Sequence, residues 1–79
     1  MVRVLLFGPL RDLAGWRERE IDIASLAALR SFLVDEDADL GAALAGPGVQ
    51  VAVDQALVRG DRDLSAGSEV AFLPPMSGG

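Results

Sequence analysis

Apolar residues at every second position predict a short β-strand at the start of the chain. Residues 2–7 read Val-Arg-Val-Leu-Leu-Phe, and Gly8-Pro9 ends the run. Because successive strand side chains point to opposite faces, the run separates into two sets: Val2, Val4 and Leu6, and then Arg3, Leu5 and Phe7. The charge on Arg3 indicates that the second face is the more exposed one. After a helical turn that ends at Gly15, alternation over residues 16–23 predicts a second strand that forms a hairpin with the first.

The pattern then changes to helical spacing. Ser25 is a good N-cap, and it is followed by an apolar stripe that recurs every three to four residues: Leu26, Leu29, Phe32 and Leu33. The acidic run Asp35-Glu36-Asp37 is expected to end the helix, because acids oppose the helix dipole at a C-terminus. We interpret this run as a solvated turn rather than a metal site. A shorter helix is predicted over residues 39–45.

Strand patterns return in the second half of the chain. Strands are predicted over residues 49–53, 56–59 and 69–73, with a turn at Asp54-Gln55 and a polar loop anchored by Leu64. In the last strand, alternation turns Val70 and Phe72 toward the core and Leu73 outward. Pro74-Pro75 ends this strand, because proline cannot donate a ladder hydrogen bond.

This order of elements predicts an α+β fold. The first and last strands are the most apolar, so we expect them to lie side by side in the centre of one sheet, in parallel orientation. The expected architecture is a β-grasp, which is a mixed sheet of four to five strands curled around one main helix. Residues 1–75 would form this domain, and residues 76–79 would form a flexible C-terminal tail.

Composition narrows the chemistry that the chain can perform. Its 79 residues allow one small domain, and they include no Cys, His, Lys, Tyr, Thr or Asn. Thiol nucleophiles, imidazole metal ligands and Schiff-base lysines are therefore excluded, and a stand-alone enzyme is the least favoured class. The formal net charge of −5 argues against a nucleic-acid partner and against an anionic membrane surface. We expect a cytoplasmic protein, since the apolar opening is too short for a spanning helix.

The C-terminus offers the one reactive group that stands out. Pro74-Pro75 is a stiff spacer, and Gly78-Gly79 presents a bare α-carboxylate that could enter a narrow channel. A carboxylate is a poor electrophile, so chemistry at Gly79 requires activation, most simply as an acyl-adenylate. The alternative is a flexible terminus that ends in glycine by chance.

Short motifs along the whole chain together resemble one known family. They are Val4-Leu5-Leu6-Phe7, Leu10-Arg11-Asp12-Leu13-Ala14-Gly15, Ser25-Leu26, Ala28-Leu29-Arg30, Val51-Ala52-Val53-Asp54-Gln55, Leu57-Val58, Leu64, Gly67, Glu69-Val70-Ala71-Phe72, Pro74-Pro75 and Gly78-Gly79. This pattern is similar to the small, sulfur-carrier subunits of molybdopterin synthases, in the ubiquitin-like β-grasp superfamily. Asp54 and Ser68 depart from the Asn and Asp that are more usual in that family.

The resemblance implies a carrier role. A ubiquitin-activator-like adenylating enzyme would consume ATP to activate Gly79, and a sulfur donor system would convert the adenylate to a thiocarboxylate. The tail, with Gly78 as its other catalytic residue, would then enter the large synthase subunit, whose own groups help build the dithiolene of molybdopterin. Two small and two large subunits would form a heterotetramer. No cofactor would be bound by this chain.

An exposed apolar patch beside the tail is the expected partner surface. Strand parity brings Leu5, Phe7, Leu57 and Leu73 to the outward face, with Arg11 and Arg59 as rim charges. The predicted interface residues are Phe7, Leu57, Leu73, Pro74, Pro75, Met76, Ser77 and Arg11. For Leu5, burial under the connection after Pro9 is an equal alternative.

Other roles use the same fold. The chain could carry sulfur for thiamine or cysteine biosynthesis, or it could be a ubiquitin-like protein modifier. It could also be a β-grasp binding module without terminal chemistry. Removal of Gly79 separates this last role from the others, because only a plain binding module would keep its function.

Overall fold

The computed structural model describes residues 1–75, which form one mixed sheet packed against helices. The elements in chain order are β1 (Val2–Leu6), α1 (Pro9–Ala14), β2 (Glu18–Ile21), α2 (Leu26–Glu36), α3 (Ala38–Leu44), β3 (Gln50–Val53), β4 (Ala56–Val58) and β5 (Glu69–Leu73). Within this part of the chain the strand order in the sheet is β2-β1-β5-β3-β4. The last strand in sequence therefore occupies the centre of the sheet.

The strand pairing explains the mixed character of the sheet. β1 pairs antiparallel with β2 and parallel with β5, and in the parallel pair Val4 lies beside Val70 and Leu6 beside Phe72. β3 pairs antiparallel with both β5 and β4. The predicted central, parallel arrangement of the first and last strands is confirmed.

The core lies between the sheet and the helices, with α2 contributing three leucines and α1 and α3 the others from helices. It contains Val2, Val4, Leu6, Leu10, Ile21, Leu26, Leu29, Leu33, Leu40, Leu44, Val51, Val53, Leu64, Val70 and Phe72. Phe32 belongs to the predicted apolar stripe but not to the core, because its side chain is 36% exposed. At about 100° per residue, Phe32 lies roughly 120° around the helix from Leu26, at the flank of the stripe rather than at its centre.

Side-chain caps fix the starts of the two longer helices. The Ser25 hydroxyl accepts a hydrogen bond from the backbone N–H of Ala28 at 3.1 Å, as predicted. The Asp37 carboxylate accepts one from the N–H of Leu40, also at 3.1 Å, and so begins α3 directly after α2 ends. The acidic run is therefore a junction between helices, in which Asp37 is a cap.

The connection after β1 is more helical than the single turn predicted for it. Pro9 opens α1, where its fixed φ suits the first helical turn, and the helix runs to Ala14. Gly15 ends it in the left-handed conformation, and its N–H donates to the Arg11 carbonyl at 3.0 Å. The first four strands are each shorter than predicted, and only β5 has the predicted bounds. Trp16, Ile23 and Val49, at the predicted strand ends, lie outside the strands but still pack against the core.

Candidate functional site

The sheet surface that faces away from α2, here called the outward face, carries a continuous row of apolar side chains. Leu5 lies opposite Ala71, Ala71 opposite Ala52, and Ala52 opposite Leu57. These four residues, the apolar row, cross four adjacent strands. Because side chains at paired positions lie on the same face of a sheet, the row is one connected surface.

The side chains in the middle of the apolar row are smaller and less exposed than those at its ends. Ala52 and Ala71 are 9% and 7% exposed but do not belong to the core cluster, since alternation turns them away from it. Leu57 is 62% exposed at one end of the row, and Leu5 is half-buried at the other end. The two small alanines thus form a shallow floor between two leucines, which suits a complementary apolar side chain from a partner.

A second pair of apolar residues lies at the C-terminal end of β5. Leu73 is half-buried and lies opposite Gln50 on β3. Phe7 is 44% exposed and follows Leu6, which pairs with Phe72. The structure therefore brings Phe7 and Leu73 to the end of the outward face from which the chain leaves the sheet.

Ion pairs border the opposite end of the outward face. Arg3 on β1 binds Glu69 on β5 at 2.9 Å and approaches Glu18 on β2 at 3.8 Å. Arg3 and Glu69 lie two positions before Leu5 and Ala71 on the same face, and they mark the end of the apolar surface that lies away from Pro74. Glu18 lies directly opposite Leu5 and borders the apolar row on its β2 side.

The two predicted rim arginines lie on different sides of the outward face. Arg11, on α1, lines a groove of about 280 Å³ together with Leu5, Phe7 and Arg17. Arg59 follows β4 and lines a groove of about 510 Å³ together with Leu57, Gln50 and Arg30. Arginine side chains therefore flank both ends of the apolar row, together with Glu18 at the Leu5 end, in a chain whose net charge is negative.

The two prolines after β5 rest on glycines from neighbouring loops. Pro74 is half-buried beside Gly8, and Pro75 is exposed beside Gly48. Gly8 and Gly48 have positive φ values of 57° and 82°, a conformation that favours glycine. The predicted site residues Met76, Ser77, Gly78 and Gly79 lie outside the described residues.

Sequence analysis did not name the two alanines or the two glycines as site residues. Strand alternation contained the signal for the alanines, because Ala52 alternates with Val51 and Val53, and Ala71 alternates with Val70 and Phe72. The roles of Gly8 and Gly48 depend on which loops flank β5. That information comes from the strand order and has no local signature.

Two classes of feature are missing from the described part of the chain. No group of three or more His, Cys, Asp or Glu side chains within residues 1–75 could hold a metal ion. No helix in the same range is long and apolar enough to cross a bilayer.

Comparison with known proteins gives consistent family matches. The family model described as the ThiS family matches residues 4–79. Two curated relatives named molybdopterin synthase sulfur carrier subunit, from Escherichia coli and Haemophilus influenzae, are 37% and 33% identical to the chain over 81 residues. Each alignment covers 100% of this chain and 100% of the relative.

Solved structures give the same fold. SAMP1 from Haloferax volcanii superposes with a TM-score of 0.85 at 25% identity, covering 99% of this chain and 98% of that one. A complex of subunits 1 and 2 of molybdopterin-converting factor from Helicobacter pylori contains a chain that matches with a TM-score of 0.74 at 25% identity, covering 99% and 97%. The predicted α+β, ubiquitin-like β-grasp class is confirmed.

Proposed function

The chain belongs to the ThiS family, and from this membership we propose that it is the sulfur carrier that forms the small subunit of a molybdopterin synthase. The observation that carries the proposal is its relatedness, over the full length of both chains, to proteins of that name. The outward face supports it, because an apolar surface that ends beside Pro74 lies next to the segment that must enter a partner.

The proposed chemistry takes place at the carboxylate of Gly79. The carboxylate attacks ATP on an adenylating enzyme, pyrophosphate leaves, and the acyl-adenylate forms. Sulfide delivered by a sulfur donor then attacks the acyl carbon and displaces AMP, which leaves a thiocarboxylate. ATP is thus consumed by the partner enzyme, and we propose that this chain itself binds no cofactor. Gly78 and Gly79 present no side chain that would obstruct groups of the partner.

The large synthase subunit would dock on the outward face. Its contact would centre on the apolar row and extend to Phe7 and Leu73, because desolvation of clustered apolar side chains drives most protein association. Arg11 and Arg59 would meet acidic groups at the rim. The large subunit would supply the remaining catalytic groups, in an assembly of two small and two large subunits in the cytoplasm.

Intact-mass measurement tests the carrier chemistry directly. The full chain, without a C-terminal tag, is incubated with its adenylating enzyme, ATP and a sulfur source. We expect the mass to rise by the difference between sulfur and oxygen, and we expect no rise after deletion of Gly79. An unchanged mass, under conditions in which a known carrier is converted by the same enzymes, would refute the proposal.

The acceptor of the sulfur distinguishes molybdopterin synthesis from the thiamine and cysteine alternatives. The thiocarboxylated chain is mixed with the cognate large subunit and the cyclic pyranopterin precursor. Formation of molybdopterin, with regeneration of the terminal carboxylate, is the expected result. Retention of the thiocarboxylate in the presence of an active large subunit would assign the carrier to another pathway.

A protein-modifier role is the second candidate, favoured by the close superposition with SAMP1. The same activated Gly79 would then form isopeptide bonds with lysines of other proteins. Trypsin cleaves after Arg62, the last Arg in the sequence, so a conjugated lysine would carry residues 63–79. Peptides with this remnant, absent after deletion of Gly79, would support the modifier role, and their absence from cells that make thiocarboxylate would support the carrier role alone.

A further inference from the structure

We propose that Gly8 and Gly48 are positioning residues that hold Pro74 and Pro75 and so set the direction in which the chain leaves the sheet toward Gly79. The inference rests on the proposed carrier function, because direction matters only if the terminus must reach a partner's active site. Two residues of the folded domain would thus help to position the tail.

The topology brings these two glycines to one place. β5 lies between β1 and β3 in the sheet. Gly8 follows β1, which is parallel to β5, and Gly48 precedes β3, which is antiparallel to it. Both loops therefore lie at the C-terminal end of β5, on either side of the departing chain.

Gly48 leaves no room for a side chain. A Cβ atom added there would lie 2.9 Å from Cβ of Pro75 and 3.6 Å from its Cα and Cγ. The proline ring is closed onto its own backbone nitrogen, so it cannot rotate away as a flexible side chain could. A side chain at position 48 therefore forces Pro75 and the loop that carries Gly48 apart.

Gly8 makes the corresponding contact with Pro74. A Cβ atom added at Gly8 would lie 3.2 Å from Cγ of Pro74, which is tighter than ordinary packing. Its backbone angles, φ 57° and ψ −135°, are also accessible mainly to glycine. The two prolines thus pack against backbone on both sides, and this packing adds to their own restricted φ.

The direction at Pro75 matters because little chain follows it. The remaining four residues can span at most about 14 Å at full extension. A change in direction at Pro75 therefore changes the positions that the Gly79 carboxylate can reach. Holding the two prolines in place also lowers the conformational entropy that must be lost when the tail enters a partner.

Gly67 provides a matched control for backbone strain. Its φ of 86° is close to the 82° of Gly48, but a Cβ atom added at Gly67 would meet nothing within 4 Å. Gly48→Ala and Gly67→Ala therefore impose the same kind of left-handed strain, and only the first displaces Pro75.

Adenylation kinetics of the full chain give the decisive measurement. ATP–pyrophosphate exchange is followed with the cognate adenylating enzyme for the wild type, Gly48→Ala and Gly67→Ala. We expect both variants to fold, with Gly48→Ala losing at least as much stability as Gly67→Ala, and we expect Gly48→Ala alone to lower kcat about tenfold, equivalent to about 1.4 kcal/mol. KM should change little, because Gly48→Ala alters no side chain of the outward face, on which we expect the adenylating enzyme also to dock. Equal kcat values for the two variants would overturn the inference.

A structural readout separates this inference from the proposed function. Nuclear Overhauser contacts between the Pro75 ring and the Gly48 α-protons are expected in the wild-type chain, whether or not any enzyme adenylates it. Their absence would overturn the positioning role. A wild-type chain that shows these contacts but is never adenylated would instead overturn the carrier proposal.

Discussion

The guanidinium of Arg19 on β2 donates two hydrogen bonds to the carboxylate of Glu36 at the end of α2. Arg19 also lies over the ring of Trp16, 5.1 Å from its centroid, and near that of Phe32, at 6.0 Å. One side chain thus ties an edge strand to the main helix and covers part of exposed Phe32. The hydrogen bond, reinforced by the charge of the partner, raises the pKa of Arg19 and lowers the pKa of Glu36, against a smaller effect of burial.

This ion pair predicts a pH-dependent contribution to stability. The pKa of Glu36 is lower in the folded state than in the unfolded state. The ion pair therefore makes its full contribution to folding stability at pH values above the unfolded-state pKa. The contribution is lost as the pH falls through the folded-state value. Glu36→Gln should lower the free energy of unfolding at neutral pH by about 0.5 kcal/mol, since both side chains are partly exposed.

Denaturant titrations across the acidic range check this prediction. The difference between wild type and Glu36→Gln should shrink toward zero as the pH falls. Asp35→Asn is the matched control, because it removes a charge from the same helix end. A difference that persists unchanged at acidic pH would mean that Glu36 contributes by packing and not by charge.

The apolar row predicts that one exposed leucine governs partner binding. Leu57→Ala should weaken binding of the cognate large subunit about tenfold, by calorimetry, while the free energy of unfolding changes by less than about 0.5 kcal/mol. Stability should be insensitive because Leu57 is already 62% exposed. Val34→Ala is the control, since Val34 is 46% exposed on α2, away from the outward face. Equal affinity for both variants would place the interface elsewhere.

Local patterning was sufficient for most of the fold. Strand alternation identified the inward positions Val4 and Phe72, and the Ser25 cap located the start of α2. The position of Phe32 could not be predicted, because a residue at the flank of an apolar stripe is covered or exposed according to what packs there. That neighbour is Arg19, which lies on β2 and approaches the Phe32 ring only through the tertiary fold, so no local rule connects the two.

The candidate site was predictable only where it depends on parity or on chain order. The outward orientation of Leu57 and Leu73 followed from strand alternation, and the Gly78-Gly79 motif could be read directly from the sequence. The spatial neighbours of Pro75 were not, since contact between Gly48 and Pro75 depends on the order of strands in the sheet. The flexible tail and the terminal chemistry assigned to residues 76–79 stay predictions from the sequence.

The turn between β3 and β4 predicts a stabilising substitution. Asp54 and Gln55 both have positive φ values, 50° and 71°, as in a two-residue type I′ hairpin turn, in which Asp-Gly is favoured. Gln55→Gly should raise the free energy of unfolding by about 0.5 kcal/mol, because it relieves left-handed strain. The same change at Gln50, within β3, should lower it. Chemical denaturation of both variants checks the sign, and a loss of stability in each would contradict the argument.

Close contact between α2 and α3 predicts a substitution that acts against helix propensity. Gly41 is buried on α3, and a Cβ atom added there would lie 2.8 Å from Cα of Val34. Alanine is normally better than glycine in a helix by about 1 kcal/mol. We nevertheless expect Gly41→Ala to lower the free energy of unfolding by about 1–3 kcal/mol, because the two helices must separate.

Two companion variants make the cause of this loss measurable. Ala42→Gly, at an exposed position of the same helix, should cost about 1 kcal/mol and gives the local propensity scale. Val34→Ala in the Gly41→Ala background should restore stability only in part, since a backbone atom of Val34 also obstructs the new methyl group. A Gly41→Ala chain that is more stable than wild type would show that α2 and α3 can move apart without loss, and that propensity outweighs their packing.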